Sequence, residues 1–434
     1  MKIDNKEQLK QKFSPILNQI QNKNYNNALQ LLNDLKVESY YKKEILKLKS
    51  FIFVKLKKWE KVIDFNKELL ELGDNNYEVF NVIGVANFNL GNLNESIKNF
   101  KNSINNNKNF IQGYENLGIA FKRIGDFENS TIHFSDALKI NNKNNKITQN
   151  LIDNFNYFET DKLKEIELCK INTKISNFNK IIKNKFINFV KLFENAEEEL
   201  SLTDYITFNE TQIFRKNKTN LNCERHLKIF NDFSIIPKYC FNCFKVQIIT
   251  KNVNELIKLY FLFNDIELKN NNIRKCIVEL RNNIKGNYKG YIYAINLLDA
   301  EEIIKILNKK CNELNIIYKK IEIKHGCTEY YEKFPEFKQI KENELLNIYK
   351  EDWSYIEKQF DKNNLIIEQS KERIFSNTIN KFNLSDYLII KNWLIYAKII
   401  GDKSCKYIFN RNSKSPYLEN ILLNQIKFRS AELI

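Results

Sequence analysis

Proline and glycine are scarce in this chain of 434 residues, at 4 and 10. So few turn-formers exclude a Pro-rich linker and disfavour a turn-dense all-β fold, leaving helices as the expected main element. Histidine occurs only at His133, His226 and His325, which leaves few imidazoles for a metal or a catalytic base. There is no Gly-rich phosphate loop, no H-E-x-x-H pair and no G-x-S-x-G elbow, so these signatures of phosphate binding, metalloprotease and hydrolase chemistry are missing. Long apolar runs are absent too. The most apolar segment, Tyr387 to Ile400, is interrupted by Lys391 and Lys398 and is too short to span a bilayer, so no membrane insertion is expected. The opening MKIDNKEQLKQK has no apolar h-region, so no signal peptide is expected.

What is present reads as globular: 43% of residues are hydrophobic and 28% charged, in a length suited to two or three domains. The net charge of +16 would attract nucleic acid or acidic lipid. Lys, Asn, Ile, Phe and Tyr abound together, however, as in AT-rich coding. The basic residues are also spread out, with no run denser than Lys55, Lys57, Lys58 or Lys180, Lys183, Lys185. Nucleic acid is therefore the less favoured partner. Without a signal peptide, the eight cysteines are expected in a reducing cytoplasm, as free thiols or metal ligands before disulfides.

One period stands out. Tyr25, Trp59, Leu93 and Phe127 are each 34 residues apart, in NKNYNNALQLL, LKKWEKVIDFN, LGNLNESIKNF and IGDFENSTIHF. Half a repeat earlier, VFNVIGVANFNLG and GYENLGIAFKRIG place Gly84 and Gly118, and Gly91 and Gly125, again 34 apart. Ala28, Ser96 and Ser130 follow their anchors by three residues, and Phe100, Phe134 and Ala137 complete the same face. Over about residues 8 to 150 this resembles the tetratricopeptide repeat, a pair of antiparallel helices per 34 residues. The second copy departs from the pattern with Lys49-Ser50 and the first with Pro15-Ile16, and the usual Pro between repeats is missing. A helix around Leu151 to Phe158 is expected to cap the stack.

The resemblance implies a superhelix whose first helices line a concave groove for a protein or peptide partner. By repeat phase, Glu78, Asn81, Val85, Gln112, Glu115, Asn116 and Ile119 would face it. Some members of the family clamp a partner's C-terminal carboxylate with paired Lys and Asn. Here Glu78 and Glu115 stand among the candidates, and only the asparagines match the clamp.

Past residue 160 the pattern changes. Residues 161–204 read as connecting helices, with Ile175, Ile181, Phe186, Phe189 and Phe193 at helical spacing. Within 205–335, FKVQII (244–249) reads as a strand, 253–263 as a helix, KCIVEL (275–280) as a strand and YKGYIYA (288–294) as a strand. A helix over 300–314, opened by Asp299, and a strand over 317–323 complete the order βαββαβ. That order suggests a ferredoxin-like module with strand order 4-1-3-2, its first and third strands expected to run parallel. Phe244 with Tyr291 or Tyr293 would then be the aromatic candidates on a sheet face. Residues 338–434 read as helical. The fold expected is mainly α: a tetratricopeptide solenoid over 8–160, the α+β module, and a helical C-terminal region.

The α+β segment carries Cys223-Glu-Arg-His226, then Cys240-Phe-Asn-Cys243, and later Cys327 in KHGCTEY. Two-residue gaps let both members of a pair point at one metal, so Cys223, His226, Cys240, Cys243 and Cys327 suit a tetrahedral zinc. Cys327, at the end of the fourth strand, would meet Cys240 and Cys243 at the start of the first. Cys276 would open the second strand at the opposite end, too far away. Three readings stay open: structural Zn2+, an iron–sulfur or thiol-redox role, and plain packing, since free cysteine is among the most buried residue types. Cys169, Cys311 and Cys405 read as core. A Cys327–His325 nucleophile pair lacks an identifiable base geometry or oxyanion hole. Two functions remain: a cytoplasmic adaptor holding a partner protein, favoured because no catalytic constellation is recognisable, and an enzyme with its active site in 205–434.

Overall fold

Tyr25, Trp59, Leu93 and Phe127 are each the first residue of a helix in the computed structural model of the protein. It describes residues 4–35, 41–181, 189–200, 206, 208–282, 284–338, 349–363, 376–408 and 414–433. The helices are α1 (Asp4–Gln21), α2 (Tyr25–Asp34), α3 (Lys42–Lys55), α4 (Trp59–Glu71), α5 (Tyr77–Leu90), α6 (Leu93–Asn106), α7 (Ile111–Arg123) and α8 (Phe127–Ile140). Each packs on the next in sequence, forming a helical repeat array. The chain divides into two compact units, Met1–Asn142 and Lys143–Ile367 with Ile374–Ile434, and the array is the first.

The turn inside each hairpin is the same left-handed backbone step. Lys23 (φ 60°), Lys57 (φ 55°), Gly91 (φ 82°) and Gly125 (φ 80°) occupy one repeat position. Glycine takes this conformation freely, whereas lysine crowds its Cβ against the backbone. The helices of a hairpin then meet through a second repeated position and the residue 16 further on. In the last two copies Gly84 and Gly118 let Phe100 and Phe134 lie flat on the backbone: an added Cβ would stand 2.5 Å from the Phe100 ring and 2.6 Å from that of Phe134. The second copy solves the same contact with polar groups, the Asn66 amide donating to the Ser50 hydroxyl at 2.5 Å. The first uses buried Ile16 and Leu32. Ser96 and Ser130 tie the third and fourth hairpins by donating to the carbonyls of Gly84 (2.9 Å) and Gly118 (2.8 Å).

The second unit begins with α9 (Asn145–Asn154), α10 (Glu167–Ile181) and α11 (Phe189–Leu200). Its sheet has β1 (Gln212–Arg215), β2 (Phe244–Thr250), β3 (Arg274–Val278), β4 (Tyr288–Ala294) and β5 (Tyr318–His325), in the order β1-β3-β4-β2-β5. Every neighbouring pair is antiparallel, so the expected parallel run of the first and third expected strands, β2 and β4, is wrong. The short link from β3 to β4 returns the chain directly. The crossover through α13 (Val253–Asp265) therefore leaves β2 and β3 running the same way, with β4 reversed between them. The starts of β2 and β3 thus lie at one end of the sheet. Four-residue β1 was not anticipated; it extends the edge beside β3.

On one sheet face α13 and α14 (Leu297–Glu313) bury Val246, Ile248, Leu256, Leu259, Ala300 and Leu307. Helix α14 opens three residues earlier than Asp299: Asn296 caps it by accepting from the Asp299 amide at 2.8 Å, and Asp299 Oδ2 accepts from the Ile295 amide at 2.9 Å. An unanticipated helix, α12 (Cys223–Phe233), precedes β2, and α15 (Glu351–Asn363) lies against it. Helix α16 (Leu384–Ile400) is buried almost all round, with Tyr387, Trp393 and Tyr396 fully enclosed, among α9, α10, α11, α13, α17 (Pro416–Leu422) and α18 (Ile426–Ala431). The apolar stretch at Tyr387 to Ile400 is thus a core helix, and among the described residues no helix is long and apolar enough to cross a membrane. Within the expected helices over 161–204 and 338–434, residues 182–188 (Phe186 among them), 201–205, 339–348, 364–375 and 409–413 lie outside the described residues.

Two substitutions test the array geometry by thermal or denaturant unfolding. Lys57→Gly relieves a left-handed lysine and should stabilise the protein by about 0.5–1 kcal/mol. Gly118→Leu drives a side chain into Phe134 and should destabilise it by about 1–3 kcal/mol. An unchanged or lower stability for Lys57→Gly would mean that the turn carries no strain.

Candidate functional site

In the array, the residues marked by repeat phase fall on α5 and α7. Asn116 donates from Nδ2 to Asn81 Oδ1 at 2.8 Å, joining the two helices. Val85 and Ile119 are half-buried one turn further on, and Gln112 and Glu78 are exposed. Glu78 takes part in its own helix start, its amide donating to Asn76 Oδ1 at 3.1 Å. Glu115 is only 6% exposed. At the far end of these helices the Arg123 guanidinium lies 4.9 Å from the Phe88 ring centre. The row offers amides, small apolar surfaces and one cation–π pair.

In the second unit, Cys240, Cys243 and Cys327 lie where β2 begins and β5 ends. Cys243 immediately precedes β2, and its carbonyl accepts from the Gly326 amide at 2.6 Å, with Cys327 next in sequence. A 3-10 turn over Lys238–Asn242 carries Cys240, whose carbonyl accepts from the Cys243 amide at 3.2 Å. The Cys240 sulfur meets the Tyr330 hydroxyl at 3.3 Å, and the Tyr330 amide donates to the Cys327 carbonyl at 3.2 Å. Cys223 is the first residue of α12, whose Ile229 and Phe230 share a core with Cys240, Phe241, Tyr330 and Phe337.

Burial pushes the Cys243 thiol up to about 12, helped by Cys327 and Cys223 and opposed by Lys245. Burial also raises Cys240, with Cys243, Cys327 and Cys223 adding to it, and raises Cys223, with Cys327 adding. Thiols held protonated in this way are poor nucleophiles. All eight cysteines are free. Among the described residues no three His, Cys, Asp or Glu side chains already stand in a metal-holding arrangement. Cys276 is apart from the group: it lies in mid-β3 beside Gly290 of β4, level with Ile248 of β2 and two strands away, with Arg215 and Asp386 as its charged neighbours. Cys169, Cys311 and Cys405 are buried, as expected of core residues.

The histidines divide. His226 stacks on Tyr239 with ring centres 5.1 Å apart, and burial, then Arg225, lowers it to about 4. Arg225 in turn bonds Asp361 at 2.6 and 2.7 Å and Glu357 at 2.9 Å, fastening α12 to α15. His325 is fully buried with Nδ1 2.8 Å from the Phe337 carbonyl and Nε2 2.8 Å from the Phe241 carbonyl. With both ring nitrogens on carbonyls it presents no base to Cys327.

The sheet face away from α13 and α14 is basic. Lys245 lies 5.5 Å from the Tyr291 ring centre, and Lys275 lies 5.3 Å from both Tyr291 and Phe214. Phe244 points to the opposite face, so the expected pairing of Phe244 with Tyr291 or Tyr293 is not formed. The proximity of these lysines to the thiols was not read from the sequence, although Lys245 is two residues from Cys243. Lys275 is lowered to about 8 by burial and then by Lys245 and Arg281.

No family model matches the chain, and no curated protein matches it. Among solved structures it is similar to a crystal structure of MamA, at 14% identity over 43% of this chain and 94% of that one, with a TM-score of 0.31. It is similar to the TPR domain of Arabidopsis OM64, at 19% identity over 25% and 89% of the two chains, with a TM-score of 0.24. YrrB, described as a TPR protein with an unusual peptide-binding site, is 10% identical over 44% and 85%, with a TM-score of 0.30. Likenesses this distant say nothing of what this chain binds.

Next to the basic face, Glu279 is 2% exposed and holds Lys289 at 2.7 Å and Arg281 at 2.8 Å. Burial alone would raise its carboxyl, but the Arg281 hydrogen bonds and the Lys289 charge outweigh it and hold the group at about 2. A carboxylate depressed in the fold stabilises it above the unfolded value of about 4.3 and loses that contribution as pH falls towards 2. Wild type should therefore lose about 3 kcal/mol across this window that Glu279→Gln does not lose. Parallel acid-unfolding curves for the two proteins would contradict the assignment.

Proposed function

We propose that the protein is a tetratricopeptide-type scaffold that holds an extended peptide segment of a partner protein against α5 and α7. The supporting observation is the Asn81–Asn116 pair: two amides at one level of adjacent repeats keep further donor and acceptor capacity for a peptide backbone. Val85 and Ile119 beside them offer apolar contact for one side chain of that segment. In the same reading, the α+β unit is a ferredoxin-like sandwich to which β1 is added at the edge. An active site at His325 and Cys327 is disfavoured by the engaged imidazole and the protonated thiols.

The test is a displayed peptide library screened against the full chain. Selected peptides should lose about tenfold or more in affinity with Asn81→Ala/Asn116→Ala, as two hydrogen bonds of about 1 kcal/mol each would give. Glu95→Ala on α6 should leave binding unchanged. Peptides that bind the double variant as tightly as wild type would place the binding surface elsewhere.

A further inference from the structure

We propose that Cys223, Cys240, Cys243 and Cys327 form a four-thiolate zinc site, with Lys245 and Lys275 as its counter-charge and His226 outside it. The four would come from three places in the chain. The 3-10 turn before β2 supplies Cys240 and Cys243, the exit of β5 supplies Cys327, and the first turn of α12 supplies Cys223. The Gly326–Cys243 hydrogen bond fixes the exit of β5 against the start of β2, and the Tyr330 contacts hold Cys240 to the segment after Cys327.

Zinc with cysteine ligands prefers a closed tetrahedron of thiolates, and two-residue gaps such as Cys240–Cys243 let one turn supply two of them. Binding replaces four S–H bonds with four Zn–S bonds and releases four protons to solvent. The product, one Zn2+ with four thiolates, carries a net charge of −2. The protein holds matching charge at hand: Lys245 and Lys275 both act on Cys223 and Cys327, and Lys245 acts on Cys243. Cys240 would exchange its Tyr330 hydroxyl for the metal. His226 is committed to Tyr239, and the charges that act on it are Arg225, Glu357 and Asp361.

Elemental analysis of the full chain purified under reducing conditions should find one zinc per chain. After chelation, added Co2+ should give the visible ligand-field and near-ultraviolet sulfur-to-cobalt bands of a tetrahedral thiolate site. Cys223→Ser should bind the metal at least tenfold more weakly, and Lys245→Met about tenfold more weakly, as expected for a group outside the ligands. His226→Ala should retain both the metal and the thiolate spectrum. Cys223 is the residue of choice because Cys240 sits in a packed core, and the wild-type measurement decides the matter if a variant does not fold. A chain that binds neither zinc nor cobalt, carries iron instead, or oxidises Cys243 to Cys327 under those conditions overturns the proposal. Loss of metal in His226→Ala with retention in Cys223→Ser overturns the four-thiolate set.

Discussion

The buried Arg215 guanidinium ties the edge of the sheet to two helices of the second unit. Arg215, on edge strand β1, donates to both oxygens of Asp386 on α16 at 3.2 and 2.8 Å, and to Asn264 of α13 at 2.7 Å. The Tyr260 hydroxyl, also on α13, donates to the same carboxylate at 2.8 Å. Both charged side chains are almost wholly shielded, at 3% and 0% exposure. Burial opposes the charge on Arg215, and Asp386 outweighs that cost, so Arg215 stays ionised. Removing one member of such a pair costs about 3–5 kcal/mol, because the other is left charged in the dark of the core. Sheet edge, α13 and α16 therefore fall or stand together. The neighbouring polar groups of α16 follow the same logic: Trp393 donates to the Thr211 carbonyl at 2.8 Å and Asn392 to those of Phe208 and Glu210, gripping the strand that leads into β1.

The array was legible because it poses one geometric problem four times. An aromatic or aliphatic first residue, a left-handed step and a close helix contact recur at one spacing, so even copies with different chemistry stay in register. The Ser50–Asn66 pair shows why the second copy looked degenerate: the contact was kept while its chemistry changed from ring-on-glycine to a hydrogen bond. Asn81 and Asn116, marked by the same phase, are hydrogen-bonded to each other. Phase alone gave no sign that Glu115 is enclosed, since burial there depends on the neighbouring helix and not on the period.

The second unit was legible only in part. Alternation and amphipathic spacing located β2, α13, β4 and α14 to within a few residues, because their apolar residues run at strand or helix spacing. Strand β1 is too short to alternate, and the reversed direction of β4 follows from chain connectivity, which hydropathy does not encode. The cysteines were singled out by spacing, but spacing does not say which face a side chain takes. Cys276 was set aside for opening its strand at the opposite end; the starts of β2 and β3 in fact share an end, but Cys276 sits level with Ile248, well along β2 from Cys243 and two strands over. Asp386 was a missed signal: an acid inside an otherwise apolar helix is a buried partner in waiting.

The left-handed lysines of the array have a consequence for its motion. In a linear stack each hairpin is stabilised by its own contacts and by its immediate neighbours, so local differences are not averaged away. The first two hairpins carry Lys23 and Lys57 at the step that glycine fills in the last two. Backbone amides of α1 to α4 should therefore open to solvent more often than those of α5 to α8, and the array frays from one end. A segment seated across α5 and α7, as proposed above, would rest on the part that opens last. Its residence time is then set by its own contacts, with little contribution from breathing of the helices beneath it.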